Sequence, residues 1–119
     1  MNLSVLVVED DADVRASLVE ILRHEGHVPV EAANGLAARD ILHDQPVDVV
    51  LLDLRLPGVD GPGLLAGLDD PPPVIVLSAF ATYDEDDVCR RLAGKVSTFI
   101  RKPSPPHVVL AAIEDVARG

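Results

Sequence analysis

Carboxylates follow two of the most apolar runs in this chain. Asp53 comes directly after residues 47–52, and Glu9 and Asp10 come directly after residues 5–8. If both runs are strands of one parallel sheet, their carboxyl ends lie at the same edge, and these acids become neighbours. Negative charges gathered in a cleft need a cation to stabilise them. The sequence therefore predicts a cation site at the ends of two strands.

A hydroxyl and an ammonium group are expected at the same edge. Ser78 follows the apolar run 74–77, and Lys102 comes two residues after the run 97–100. An aspartate oxygen is a competent nucleophile toward phosphorus when a metal screens the charge of the approaching phosphoryl group. In that chemistry Asp53 is the candidate nucleophile. The alternative is that Asp53 is a helix N-cap or an ordinary loop acid without chemical function.

Apolar runs alternate with helix-period segments along the chain, which is typical of an α/β fold built on a parallel sheet. Five pairs of a strand and a helix are predicted, with helices on both faces of the sheet. The predicted strands are residues 3–8, 28–32, 47–52, 74–77 and 97–100. The helices are predicted to begin near Asp11, Asn34, Pro62, Asp84 and Ser104.

Some side chains of these helices are expected to be buried. The candidates are Val14, Leu18, Ile21 and Leu22 in the first helix, Leu36, Ile41 and Leu42 in the second, and Val109, Ile113 and Val116 in the last. Four histidines are scattered without metal-ligand spacing and are expected at the surface, namely His24, His27, His43 and His107.

Composition narrows the classes of function. The 119 residues fit a single domain spanning 1–119. The net charge of −10 argues against binding of nucleic acid or an anionic membrane by this domain. One cysteine cannot form an internal disulfide, the first residues lack a signal-peptide pattern, and no apolar run approaches the roughly 18 residues of a membrane span. A cytoplasmic location is therefore expected.

Four segments carry a family resemblance, and they stand in the chain as VLVVEDD, VVLLDLRLPGVDG, VIVLSAF and FIRKP. In this order and at these separations, the chain resembles the receiver domain of two-component response regulators along its whole length. The resemblance implies a flavodoxin-like (βα)5 fold, similar to the chemotaxis regulator, with the parallel strands in the order 2-1-3-4-5. It also implies that Asp53 accepts a phosphoryl group from a sensor histidine kinase or a histidine phosphotransfer protein.

The resemblance further implies that Mg²⁺ is the cofactor. Asp10 and Asp53 are the expected direct ligands, the backbone carbonyl of Arg55 completes the protein's share, and Glu9 reaches the ion through water. Glu9 replaces a more frequent aspartate of the family. Asp11 can serve as a ligand or as the N-cap of the first helix, and the N-cap is favoured.

Other positions of this sequence match residues that assist or respond to phosphorylation in the family. Lys102, followed by a proline, is expected to pair with Asp53 and then with the phosphoryl group. Ser78 is expected to donate a hydrogen bond to a phosphoryl oxygen, which draws the segment 78–80 toward the site. The space that this segment leaves allows Phe99 to turn inward as the aromatic switch. The alternative for Phe99 is plain packing in the core. Arg55 and Phe80 flank the phosphoryl group, and Phe80 is expected to prolong its lifetime.

The family transmits its signal through the face formed by the fourth helix, the fifth strand and the fifth helix. A homodimer through this face is a further expectation.

Three other functions compete with the phosphoacceptor role. The first is a receiver-like module that acts by contact alone. Such a module does not need phosphorylation chemistry, so the presence of the whole set argues against it, namely Asp10, Asp53, Ser78 and Lys102. A flavin-binding electron carrier needs a phosphate-binding loop after the first strand, where this chain has acids. An aspartate-nucleophile phosphatase places its nucleophile after the first strand, whereas Asp53 follows the third.

Overall fold

The computed structural model describes residues 2–53, 72–78, 98–101 and 105–118. It describes only the backbone of six of these residues, namely Asp53, Ser78, Thr98, Phe99, Arg101 and Arg118. The strands are β1 (Ser4–Val8), β2 (Val28–Ala32), β3 (Val49–Asp53), β4 (Val74–Ser78) and β5 (Thr98–Arg101). The helices are α1 (Ala12–His24), α2 (Gly35–Asp44) and the C-terminal helix (Pro106–Arg118). The helices predicted to begin near Pro62 and Asp84 lie outside the described residues.

The five strands form one parallel sheet in the order β2-β1-β3-β4-β5. The predicted fold class and strand order are therefore confirmed. Strand order reverses between β1 and β3, and in open α/β sheets this switch point is where ligands bind, outside the carboxyl ends of the strands.

Alternating side chains of the strands build two hydrophobic layers, one on each face of the sheet. Leu6 and Val8 pack in the layer that includes α2, and Val5 and Val7 pack in the layer that includes α1 and the C-terminal helix. Residues 49–52 are at most 1% exposed, because both faces of β3 are covered. Such double burial explains why the run is continuously apolar rather than alternating.

The strand boundaries differ slightly from the prediction. β3 begins at Val49 rather than at Val47, because its pairing with β1 begins at Val49, opposite Val5. Val47 is half-buried and Asp48 is exposed. Asp48 instead pins β1 to β3: its Oδ2 accepts a hydrogen bond from the Ser4 amide at 2.8 Å, and its own amide donates to the Ser4 carbonyl oxygen at 2.8 Å. The predicted start of this strand was therefore two residues too early.

Helix faces were predicted less well than strands. In α1 the fully buried apolar residues are Val19 and Leu22, whereas Val14, Leu18 and Ile21 are half-buried. In α2, Leu36 is 55% exposed, so its predicted burial was wrong. The buried positions of that helix are Gly35 and Ala38, and Ile41 and Leu42 are half-buried against the same layer. Val109 and Ile113 of the C-terminal helix are buried as predicted, and Val116 packs beside them.

A glycine-dependent cap ends α1 and buries one histidine. Gly26 has φ of +86°, its amide donates to the Arg23 carbonyl, and the His27 amide donates to the Leu22 carbonyl, which is the Schellman arrangement. His27 is 5% exposed, and its Nδ1 accepts a hydrogen bond from the Leu3 amide at 3.2 Å. His27 was predicted to lie at the surface, and this was wrong because the cap turns it inward; His24, His43 and His107 are exposed as predicted.

Candidate functional site

The sheet register brings the predicted site residues to one edge. Val8 lies opposite Leu52 in the pairing of β1 with β3, so Glu9 and Asp53 are the next residues along these neighbouring strands. Asp53 in turn lies opposite Leu77, and Ser78 is the next and last residue of β4. Neighbouring strands lie about 4.8 Å apart, so the backbones that carry the first acid, the nucleophile candidate and the hydroxyl are adjacent.

The two acids after β1 have different environments. Glu9 is 3% exposed, its Oε1 accepts a hydrogen bond from the Asp11 amide at 3.4 Å, and its own amide donates to the Ala32 carbonyl at 3.1 Å. Asp10, the next residue, is exposed. A buried carboxylate that organises the loop thus stands beside an exposed one that is open to a ligand.

Asp11 caps α1. Its Oδ1 accepts hydrogen bonds from the amides of Asp13 and Val14 at 2.9 and 3.2 Å, and its backbone is extended with φ −77° and ψ 115°. These contacts satisfy two of the amides that a helix start leaves unpaired. The predicted N-cap is therefore confirmed, and the negative charge also suits the positive end of the helix dipole.

Arg15 was missed by the sequence analysis. Its Nη1 donates to the Glu9 carbonyl oxygen at 2.9 Å, and its Nε lies 3.4 Å from Oε1 of Glu31 near the end of β2. The side chain of Arg15 is 19% exposed. A signal existed in the spacing: Arg15, Val19 and Leu22 stand at i, i+4 and i+7, which places the arginine on the buried stripe of the helix.

The donor types at this edge fit Mg²⁺. Carboxylate and carbonyl oxygens are hard ligands, and Mg²⁺ typically takes only one or two carboxylates from a protein and keeps several waters. Within the described side chains, no group of three or more His, Cys, Asp or Glu residues is arranged to hold a metal ion. The side chain of Asp53 is outside that description, so the predicted pair of Asp10 and Asp53 stays a prediction.

The remaining predicted site residues are placed only in part. Ser78 ends β4 and lies opposite Arg101, and Phe99 lies opposite Val76 within β5. Arg55, Phe80 and Lys102 lie outside the described residues. Their assigned roles therefore rest on the sequence.

Comparison with known proteins identifies the family. The family model of the response regulator receiver domain matches residues 5–114. The chain belongs to this family. The resemblance found in the sequence is therefore confirmed.

Curated relatives include both short and long receiver proteins. Sporulation initiation phosphotransferase F of Bacillus subtilis is 38% identical over 87 residues, which cover 71% of this chain and 70% of that protein. The phosphate regulon transcriptional regulatory protein PhoB of Escherichia coli is 34% identical over 119 residues, covering 96% of this chain and 51% of that protein. The chain thus spans about half the length of relatives such as PhoB.

Solved receiver structures superpose closely on this chain. The receiver domain of a signal transduction histidine kinase from Syntrophus aciditrophicus has a TM-score of 0.83 and 29% identity, covering 98% of this chain and 91% of that one. The receiver domain of the sensor histidine kinase PA1611 of Pseudomonas aeruginosa has a TM-score of 0.87 and covers 100% of both chains. Because the two sequences are only 22% identical, this similarity shows the fold alone.

Among the described residues, no helix is long and apolar enough to cross a membrane.

Proposed function

We propose that this receiver domain, taken as residues 1–119, is reversibly phosphorylated on Asp53 by a sensor histidine kinase or a histidine phosphotransfer protein. An oxygen of the Asp53 carboxylate forms the new bond to phosphorus, while the bond from phosphorus to the donor histidine breaks and the histidine nitrogen keeps the electron pair. The observation that supports the proposal is the register at the switch point of the sheet, where Glu9, which is followed by Asp10, comes next to the backbone of Asp53.

The acids of this edge are proposed to hold Mg²⁺, which neutralises charge on the phosphoryl group during transfer. Asp10 and Asp53 supply direct carboxylate ligands, Arg55 supplies its backbone carbonyl, and Glu9 acts through water. Support comes from the exposure of Asp10 and from the oxygen donor set. A solved relative, the receiver domain of PA1611, is described with a magnesium ion coordinated in its active site cleft.

Further residues are proposed to stabilise and read the phosphorylated state. Lys102 pairs with the carboxylate of Asp53 and then with a phosphoryl oxygen, while Ser78 donates its hydroxyl to another oxygen. The movement of the segment after Ser78 lets Phe99 turn inward. Arg55 and Phe80 control the access of water to the acyl phosphate. The position of Ser78 at the end of β4, beside Asp53, supports its part of this scheme.

The domain is proposed to act as a signalling switch rather than as an enzyme on a separate substrate, because the group that it modifies and later dephosphorylates is its own. The output is proposed to leave through the face that includes β5 and the C-terminal helix, where phosphorylation promotes a homodimer. Size-exclusion chromatography with and without beryllofluoride, a phosphoryl mimic, tests this step.

A cytoplasmic location completes the proposal and rests on the single cysteine.

Intact mass after incubation with acetyl phosphate and Mg²⁺ tests the phosphoacceptor. Wild type is expected to gain one phosphoryl group, and Asp53→Asn is expected to gain none. Asp48→Asn is the matched control, because Asp48 is an aspartate near the opposite end of the same strand. Equal modification of Asp53→Asn and wild type contradicts the proposal. Absence of modification in wild type, with phosphoramidate as well as acetyl phosphate, favours a module that acts by contact alone.

A further inference from the structure

Arg15 joins three parts of the chain that meet at the candidate site. Its guanidinium donates to the backbone carbonyl of Glu9, in the loop after β1, and contacts the carboxylate of Glu31 near the end of β2. Arg15 itself belongs to the first turn of α1, where its amide donates to the Asp11 carbonyl at 2.9 Å. The loop that carries Glu9 and Asp10 is therefore held from the helix side as well as from the sheet.

The chemistry of the side chain suits this position. A guanidinium is planar and carries several donors in a fixed fork, so it can bind a carbonyl and a carboxylate at the same time, whereas an ammonium is a point charge on a flexible stem. Arg15 lies on the stripe of α1 that also carries the buried Val19 and Leu22, and its side chain is 19% exposed. A charged side chain with so little exposure is ordered by its contacts rather than solvated freely.

A permanent positive charge next to a cation site opposes metal binding by simple electrostatics. Its presence beside the acidic loop therefore suggests another benefit. Fixing the Glu9 carbonyl sets the backbone of Asp10, the next residue, before a metal arrives, so less conformational freedom is lost on binding.

We propose that Arg15 is a positioning residue for the metal site: it fixes the loop at Glu9 so that the carboxylate of Asp10 is preorganised for Mg²⁺. This inference rests on the proposed function for its metal. The effect of Arg15 on the loop can be tested independently of the proposed function, because the order of the loop can be measured in the absence of any ion.

Magnesium affinity, measured by calorimetric titration, separates positioning from charge. Arg15→Met is expected to weaken binding roughly tenfold, as for other residues that orient metal ligands. Arg15→Lys keeps the charge and loses the fork, and it is expected to bind more weakly than wild type as well. Arg23→Met removes the same charge from the exposed last turn of α1 and is expected to leave the affinity within about twofold, since exposed charges are strongly screened.

Unchanged or tighter magnesium binding by Arg15→Met overturns the proposal, because this is the result expected for an arginine that acts only as a nearby positive charge. Urea unfolding of each variant identifies loss of affinity that stems from loss of the fold. If Arg15→Met does not fold, Arg15→Lys decides between the two roles.

Amide hydrogen exchange of the metal-free protein gives a readout that does not involve the ion. The amides of Glu9 and Asp11, which donate to Ala32 and to the Glu9 side chain, are expected to exchange roughly tenfold faster in Arg15→Met, while β4 is unaffected. Unchanged exchange in the loop overturns the inference. Faster exchange together with no magnesium binding by wild type shows that Arg15 orders the loop, and it contradicts the metal step of both the proposed function and this inference.

Discussion

Val8 of β1 lies directly opposite Leu52 of β3, and this single pairing determines which acids meet. A shift of the register by one residue would exchange the side chains of the two hydrophobic layers and would break the two hydrogen bonds between Asp48 and Ser4. Close packing in both layers and these two bonds hold the register, and the register in turn places Glu9 next to Asp53. Packing in the core and chemistry at the edge are linked through the same two strands.

Asp10→Asn is expected to weaken magnesium binding by at least roughly tenfold, because it removes the charge of an exposed carboxylate that we propose as a direct ligand. Phosphorylation by acetyl phosphate should slow in parallel. Asp13→Asn is the matched control: Asp13 is an exposed aspartate in the first turn of α1, and its neutralisation should leave the affinity nearly unchanged. Equal effects of the two substitutions on calorimetric titration contradict a specific role for Asp10.

Asp11→Ala is expected to destabilise the domain by about 1 kcal/mol, the usual cost of losing an N-cap. Asp11→Asn retains a capping oxygen and should keep most of that stability. Neither variant should weaken magnesium binding more than Asp13→Asn does, because the Asp11 side chain is engaged with the helix amides. Urea unfolding and calorimetric titration check the two halves of this prediction. A large loss of affinity in Asp11→Asn, with stability retained, identifies Asp11 as a ligand.

Phe80→Ala is expected to shorten the lifetime of the phosphoryl group several-fold. A bulky apolar side chain two residues after Ser78 is predicted to shield the acyl phosphate from water, and alanine removes that shield. Phe80→Leu keeps apolar bulk and should stay close to wild type. The half-life is measured as loss of the phosphorylated mass after the phosphodonor is removed, and a half-life in Phe80→Ala equal to wild type contradicts the shielding role.

The strands and the site edge were predictable because they depend on local patterns. Residues 28–32 matched β2, and the acids after two apolar runs indicated the edge that the register then joined. The ends of strands were less certain, since apolar character does not reveal where the ladder begins. Asp48 shows the reason: its side chain and amide form a separate pair of bonds with Ser4 at the start of the ladder.

Helix orientation depended on tertiary packing that the sequence does not display. Leu36 is exposed because α2 turns its small residues Gly35 and Ala38 toward the sheet. Arg15 was missed for a related reason, since an arginine interrupts an apolar stripe even when its stem belongs to that stripe. His27 was misplaced because its burial follows from the turn made by the preceding glycine.

Gly26→Ala is expected to destabilise the domain by about 1–2 kcal/mol without weakening magnesium binding. The φ of +86° is unfavourable for a residue with a Cβ, and an added Cβ would lie 3.3 Å from Oδ1 of Asn2. The side chain of Asn2 can shift, so the strained backbone accounts for most of the cost in stability. Gly26→Asn should cost less, because asparagine tolerates this backbone conformation better.

The cap precedes β2 at the amino end of the sheet, opposite the acids, so the magnesium affinity of the folded protein should not change. Urea unfolding gives the free energy of unfolding and calorimetric titration gives the affinity. Stability of Gly26→Ala equal to wild type contradicts the strained cap, and a loss of affinity at full folding contradicts the independence of the two ends of the sheet.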